Sequence, residues 1–107
     1  NVVGSQLSVN KMNAAIQELE KQFDTKLPEF TVAAVKIDNE FNHVWHIGTS
    51  DERKLNEDKL AEALDDILKN ANKNYKVARS KALKGVKVKL LPIEIFYEWS
   101  GANKKNA

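Results

Sequence analysis

The sequence predicts an α+β domain of ferredoxin-like type: a two-layer sandwich of order (β)-α-β-β-α-β, with two helices on one face of a small antiparallel sheet. Three observations carry that expectation. Two stretches place apolar residues at helical spacing, two stretches between them alternate as strands, and a β-rich run closes the chain. With 107 residues and no linker-like segment, residues 1–107 read as one domain. Neither an internal repeat nor a low-complexity stretch interrupts it.

The elements follow in order. "NVVG" (residues 1–4) reads as a brief strand or turn. Ser8 then suits a helix N-cap, because its hydroxyl can accept from an amide of the first turn. Val9, Met12, Ile16, Leu19 and Phe23 recur at steps of three or four and share one helical face. Pro28 stops continuation, lacking an amide hydrogen. "EFTVAAVKI" (29–37) is rich in strand formers, Asp38-Asn39 supplies a turn, and "FNHVWHIGTS" (41–50) predicts the antiparallel partner. Strict alternation puts Phe41, His43, Trp45 and Ile47 on one face and Asn42, Val44 and His46 on the other. Gly48 is read as the start of a loop.

Asn56 suits the N-cap of a second helix, with Glu57 and Asp58 where negative charge complements the helix dipole. Leu60, Leu64, Ile67, Leu68, Ala71 and Tyr75 form its apolar stripe, extending toward Ala78. Gly85 breaks the pattern. "VKVKLLPIEIFYEW" (86–99) predicts a last strand bent at Pro92.

Composition excludes several classes of function. With no cysteine, neither a disulfide nor a thiolate zinc site can form. No apolar run approaches the ~18 residues of a membrane-spanning helix, and no signal-peptide pattern opens the chain, so a cytoplasmic setting without a membrane partner is expected. Neither GxxxxGK[ST] nor GxGxxG occurs, and no serine or threonine stands in a nucleophile motif. His43 and His46, three apart on a strand, point to opposite faces and cannot readily share one metal ion. The carboxylates Asp51, Glu52, Glu57, Asp58, Glu62, Asp65 and Asp66 interleave with cations as a solvated helix face does. Tyr75 and Arg79 sit four apart, the tyrosine packing under the sheet and the arginine covering its ring or meeting the helix's last carbonyls.

Charge is unevenly spread. Formal net charge is +2, yet every charged residue between Ile67 and Ile93 is basic: Lys69, Lys73, Lys76, Arg79, Lys81, Lys84, Lys87 and Lys89. One reading is therefore a non-enzymatic binding module whose 69–89 stretch meets nucleic acid or an acidic protein partner. A solvated face explains the same lysines.

Several segments, in order, resemble the C-terminal domain of the auxin-responsive (Gretchen Hagen) family of acyl acid–amido synthetases, bacterial relatives included. They are "VVGSQLSVNKMNAAI", "FTVAAV", "HVWHI" with its histidine–x–tryptophan strand, "LDDILKNANKNYKVAR" with its Asn-x-x-Tyr-x-x-x-Arg ending, and "FYEW". The resemblance implies the lid domain of an ATP-dependent ligase that forms an acyl-adenylate and joins a carboxylic acid to an amine or amino acid. ATP and magnesium would be held mainly by a larger N-terminal domain, the partner of this one, and the domain alone would be catalytically silent. It also implies that the aromatic cluster anchors the final strand, so that the tail leaves from a rigid base. In "SGANK" (100–104), Gly101 and Lys104 match the family's glycine-rich run and active-site lysine, making Lys104 the catalytic candidate. A solvated tail lysine remains the alternative. Lys105-Asn106-Ala107 stands where the family has Pro-Arg, and the insert between tryptophan and glycine is absent. Ser5 replaces a favoured glutamate, and Gly48 an acid.

Overall fold

The computed structural model describes residues 7–101. The order is α1 (Val9–Phe23), β1 (Glu29–Ile37), β2 (Glu40–Thr49), α2 (Glu57–Ala71), α3 (Lys73–Lys81), β3 (Leu83–Pro92) and α4 (Ile93–Ser100). The α+β class holds, and the layering is consistent with a ferredoxin-like two-layer sandwich. The opening strand expected at residues 1–4 lies outside the described residues.

Local chemistry sets the element boundaries. Ser8 Oγ accepts from the Lys11 amide at 3.2 Å and starts α1. Asp24, in the left-handed region at φ 51°, ends it with its amide on the Glu20 carbonyl. Asp38 and Asn39 both take positive φ, 51° and 69°, as a two-residue hairpin turn requires. Asn56 Oδ1 accepts from the Lys59 amide at 2.9 Å and starts α2. The helix does not run through to Ala78. It breaks at buried Asn72, whose extended backbone (φ −136°, ψ 110°) starts α3, while its amide and side-chain nitrogen both reach the Leu68 carbonyl. Tyr75 and Ala78 stay buried across the break, whereas Ala71 turns to solvent.

The sheet order is β1-β2-β3, and the sheet is mixed rather than antiparallel. β1 pairs antiparallel with β2 and β3 pairs parallel with it. The helical pair α2–α3 carries the chain from the end of β2 back to its start, so β3 enters running the same way. Gly85 lies inside β3 and faces the Asn42 side chain, beside a register shift at Phe41/Asn42.

One face of the sheet carries the core. Fully buried Trp45 and Ile47 of β2 pack with Leu19, Leu60, Leu64, Leu68, Tyr75 and Leu83. Phe30 of β1 stacks on Trp45, ring centroids 5.4 Å apart. Each such side chain contributes roughly 1.5–3 kcal/mol through burial of apolar surface. Val9 is the exception on the α1 face, at 68% exposed.

The last expected strand is half helix. β3 ends at Pro92, and residues 93–100 coil into α4. Ile, Phe, Tyr and Trp favour strands by propensity, and Ile93, Ile95 and Tyr97 also alternate. The spacing that prevails is helical: Ile93, Phe96 and Trp99 fall three apart, and Phe96 is buried. Its seat is Gly48, within β2 rather than at a loop start. A Cβ there would lie 2.7 Å from Phe96 Cβ and 3.0 Å from Ile93 Cδ1. α4 therefore packs on the sheet face opposite the main core.

Gly48→Ala forces that contact apart. We expect a loss of about 1–3 kcal/mol, the usual range for over-packing, read as a lowered denaturant midpoint, with the fluorescence of Trp99 shifting toward that of a solvated indole. An unchanged midpoint would mean that α4 is not seated on Gly48.

Candidate functional site

Two side-chain groups flank the sheet. The first lies at the junction of α2, α3 and β3. Asp65 Oδ1 accepts from the Tyr75 hydroxyl at 2.7 Å and from Arg79 Nε at 2.9 Å, while Asp65 Oδ2 accepts from Arg79 Nη2 at 3.0 Å. Lys69 adds an ion pair to Oδ2 at 3.2 Å. Arg79 Nη1 also donates to the Leu83 and Lys84 carbonyls at 2.9 and 2.7 Å, fixing the entry to β3. Burial works to raise the Asp65 pKa, but the hydrogen bonds from Arg79, Tyr75 and Lys69 prevail and hold it below the ordinary carboxylate value. Arg79 is raised in turn, chiefly by its bond to Asp65. Tyr75 is raised by burial and by the neighbouring carboxylate.

Asp65 is thus not part of a solvated charged face. It sits one position beyond Leu64, at the margin of the buried stripe, so periodicity alone leaves it ambiguous. The available signal is the Tyr75–Arg79 pair, which presents a phenol and a guanidinium with no nearby acid in sequence. A bidentate carboxylate is the natural partner for such a pair.

His43 lies beside this junction, its ring 6.2 Å from that of Tyr75. It is fully buried, and neither ring nitrogen has a hydrogen-bond partner among the described residues. Burial, then the charge of Arg79, lowers its pKa from 6.5 to about 4, so the ring is neutral at pH 7.

The second group forms the corner where α4 meets the opposite sheet face. His46 stacks on Trp99 with centroids 4.1 Å apart. Its pKa is lowered by partial burial and by the charge of Lys89, its register partner on β3. The Tyr97 hydroxyl meets Glu29 Oε2 at 3.0 Å, which ties α4 to β1 and raises the Tyr97 pKa. Gly101 closes α4 in the left-handed region at φ 73°, with its amide on the Glu98 carbonyl at 3.3 Å. A Cβ there would meet nothing, so the reason for glycine is backbone sign rather than space. The aromatics anchor a helix, α4, where a strand was expected. Lys104 lies outside the described residues.

The structure places the two histidines on opposite faces, one against Tyr75 and the other against Trp99. Among the described residues no group of three or more His, Asp or Glu side chains converges as metal ligands would. The eight cations of the 69–89 stretch divide among several surfaces. Lys69 and Arg79 are engaged by Asp65, Lys84 by Glu40 at 3.4 Å, and Lys73, Lys76 and Lys81 lie on α3. Lys87 and Lys89 flank β2 on the α4 side of the sheet. No helix among the described residues is long and apolar enough to cross a membrane.

Comparison with known proteins gives one match. Residues 10–106 fit the family model described as "GH3 family C-terminal domain". No curated protein and no solved structure matches.

His43 dictates an acid sensitivity. Between pH about 6.5 and about 4 the unfolded chain protonates this ring and the folded chain does not, so stability falls as pH drops through that window. The loss is on the order of 2–3 kcal/mol. Urea titrations across the window should show it, and His43→Gln should flatten most of the slope. A variant with the same slope as the parent would move the effect elsewhere.

Proposed function

Since the chain belongs to the GH3 family, as the match over 97 of its residues establishes, we propose that it is the C-terminal lid domain of an ATP-dependent acyl acid–amido synthetase. The family match is the observation that carries this reading. A C-terminal domain of this kind pairs with an N-terminal domain. On our reading, that domain activates a carboxylic acid as its adenylate, and this domain closes over the site before an amine or amino acid takes the acyl group. A cytoplasmic setting, where ATP is available, fits that reaction.

The described residues do not offer magnesium a ligand set, so the reading assigns ATP and magnesium to the N-terminal domain. What this chain contributes is shape and one charge. Its packed helices and sheet make a rigid cover that excludes water, and an activated acyl group needs that protection because water competes with the amine. The tail beyond Gly101 carries Lys104, which supplies a fixed positive charge to the anionic reacting centre. The seating of α4 on Gly48 and the turn at Gly101 support this role, because they set where the tail departs.

In the full-length polypeptide, Lys104→Ala should lower the rate of amide formation by about 10²-fold, the order seen when one preorganised charge-stabilising donor is removed, with the melting temperature unchanged. Rates within twofold of the parent would remove Lys104 from the reaction. Absence of any acid-plus-amine ligation by the parent protein, across a panel of small carboxylic and amino acids with ATP, would overturn the enzymatic reading itself.

A further inference from the structure

The sheet is covered unequally. α1, α2 and α3 bury the Trp45 face, whereas among the described residues α4 packs on the other, over Gly48 and His46. Val44 and Asn42 of the central strand are buried on that second face, so its exposed side chains stand on the flanking strands and on α4. Thr31, Ala33 and Val35, which share that second face by register with His46, Val44 and Asn42, are exposed. Exposed large apolar side chains gather on the same side: Val35 on β1, with Ile95, Tyr97 and Trp99 on α4 (38, 46, 36 and 50% exposed). Lys87 and Lys89 rise from β3 beside them, both exposed and without an ion pair among the described residues. Three acids belong to this corner: Glu29 accepts the hydrogen bond of Tyr97, and Glu94 and Glu98 stand exposed on α4.

An apolar strip of small side chains beside two unpaired cations fits a partner surface that is apolar at its centre and acidic at its rim. We propose that this face, comprising Ala33, Val35, Lys87, Lys89 and Trp99, is the surface through which the domain seats on the N-terminal domain of its own polypeptide. The proposal deepens the reading above and rests on it, since family membership as a C-terminal domain is what supplies an occupant in the same chain. The α3 side fits that role less well: Lys73, Lys76 and Lys81 stand there with Val77 as the large exposed apolar residue, at 49%. Charge without a flat apolar centre describes a solvated surface.

Zero-length carbodiimide coupling on the full-length polypeptide tests this, because it joins a lysine only to a carboxylate it directly contacts. Lys87 and Lys89 should couple to carboxylates upstream of this domain, at several times the yield of Lys73, Lys76 and Lys81. The double variant Lys87→Glu/Lys89→Glu should lower amide formation at least tenfold with an unchanged melting temperature. Lys73→Glu/Lys76→Glu should stay within twofold of the parent.

Four results would overturn the proposal: coupling confined to residues 1–107, coupling between differently isotope-labelled copies, equal yields across all five lysines, or salt-sensitive retention of single-stranded RNA lost in the Lys87/Lys89 variant. Upstream coupling in a protein that ligates nothing would sink the enzymatic reading and leave the seating surface standing. Ligation without upstream coupling would do the reverse.

Discussion

A single carboxylate organises the half of the domain where sequence-distant elements must meet. Asp65 receives Tyr75 and Arg79 from the next helix, and Arg79 then reaches past its own helix end to the first carbonyls of β3. α2, α3 and β3 are thereby locked at one point. The parallel pairing of β3 depends on it, because a parallel strand has no tight turn to fix its register and relies on how the crossover delivers it. The arrangement is partly buried, with Asp65 and Arg79 side chains 13% and 19% exposed. Its charges are therefore less screened than on an open surface, and removing either partner strands the other.

From that lock the two faces of the sheet diverge in purpose. One is closed by three helices around Trp45 and Ile47. The other carries α4 at one end, held by Phe96 over Gly48, by the His46–Trp99 stack and by Tyr97 on Glu29. The rest of that second face presents the exposed side chains of β1 and β3. The apolar strip on β1 and the exposed Lys87 and Lys89 of β3 lie on this second side.

Much of this was legible in the residues. Periodicity found α1, the hairpin and α2, the caps at Ser8 and Asn56 fell where hydroxyl and amide chemistry put them, and the alternation of β2 separated His43 from His46 correctly. The failures share a cause. α4 was hidden because its residues favour strands, and the helical spacing of Ile93, Phe96 and Trp99 prevails only where the sheet offers a seat at Gly48. The break at Asn72 was hidden because the apolar stripe continues through it to Tyr75 and Ala78. Asp65 looked like its solvated neighbours until Arg79, fourteen residues on, was brought to it. Strand direction in the sheet was likewise set by the crossover and not by any local signal. The family resemblance was legible in ordered motifs, and the match over residues 10–106 supports it.

The most direct test of this account is a double-mutant cycle on Asp65 and Arg79. Unfolding free energies of Asp65→Ala, Arg79→Ala and the double variant, from urea titration at pH 7, isolate their coupling. The account predicts about 1.5–3 kcal/mol of coupling, with each single variant costing about 3 kcal/mol or more. Coupling below about 0.5 kcal/mol, the range of exposed surface pairs, would contradict it, and the domain would then owe its shape to apolar packing alone.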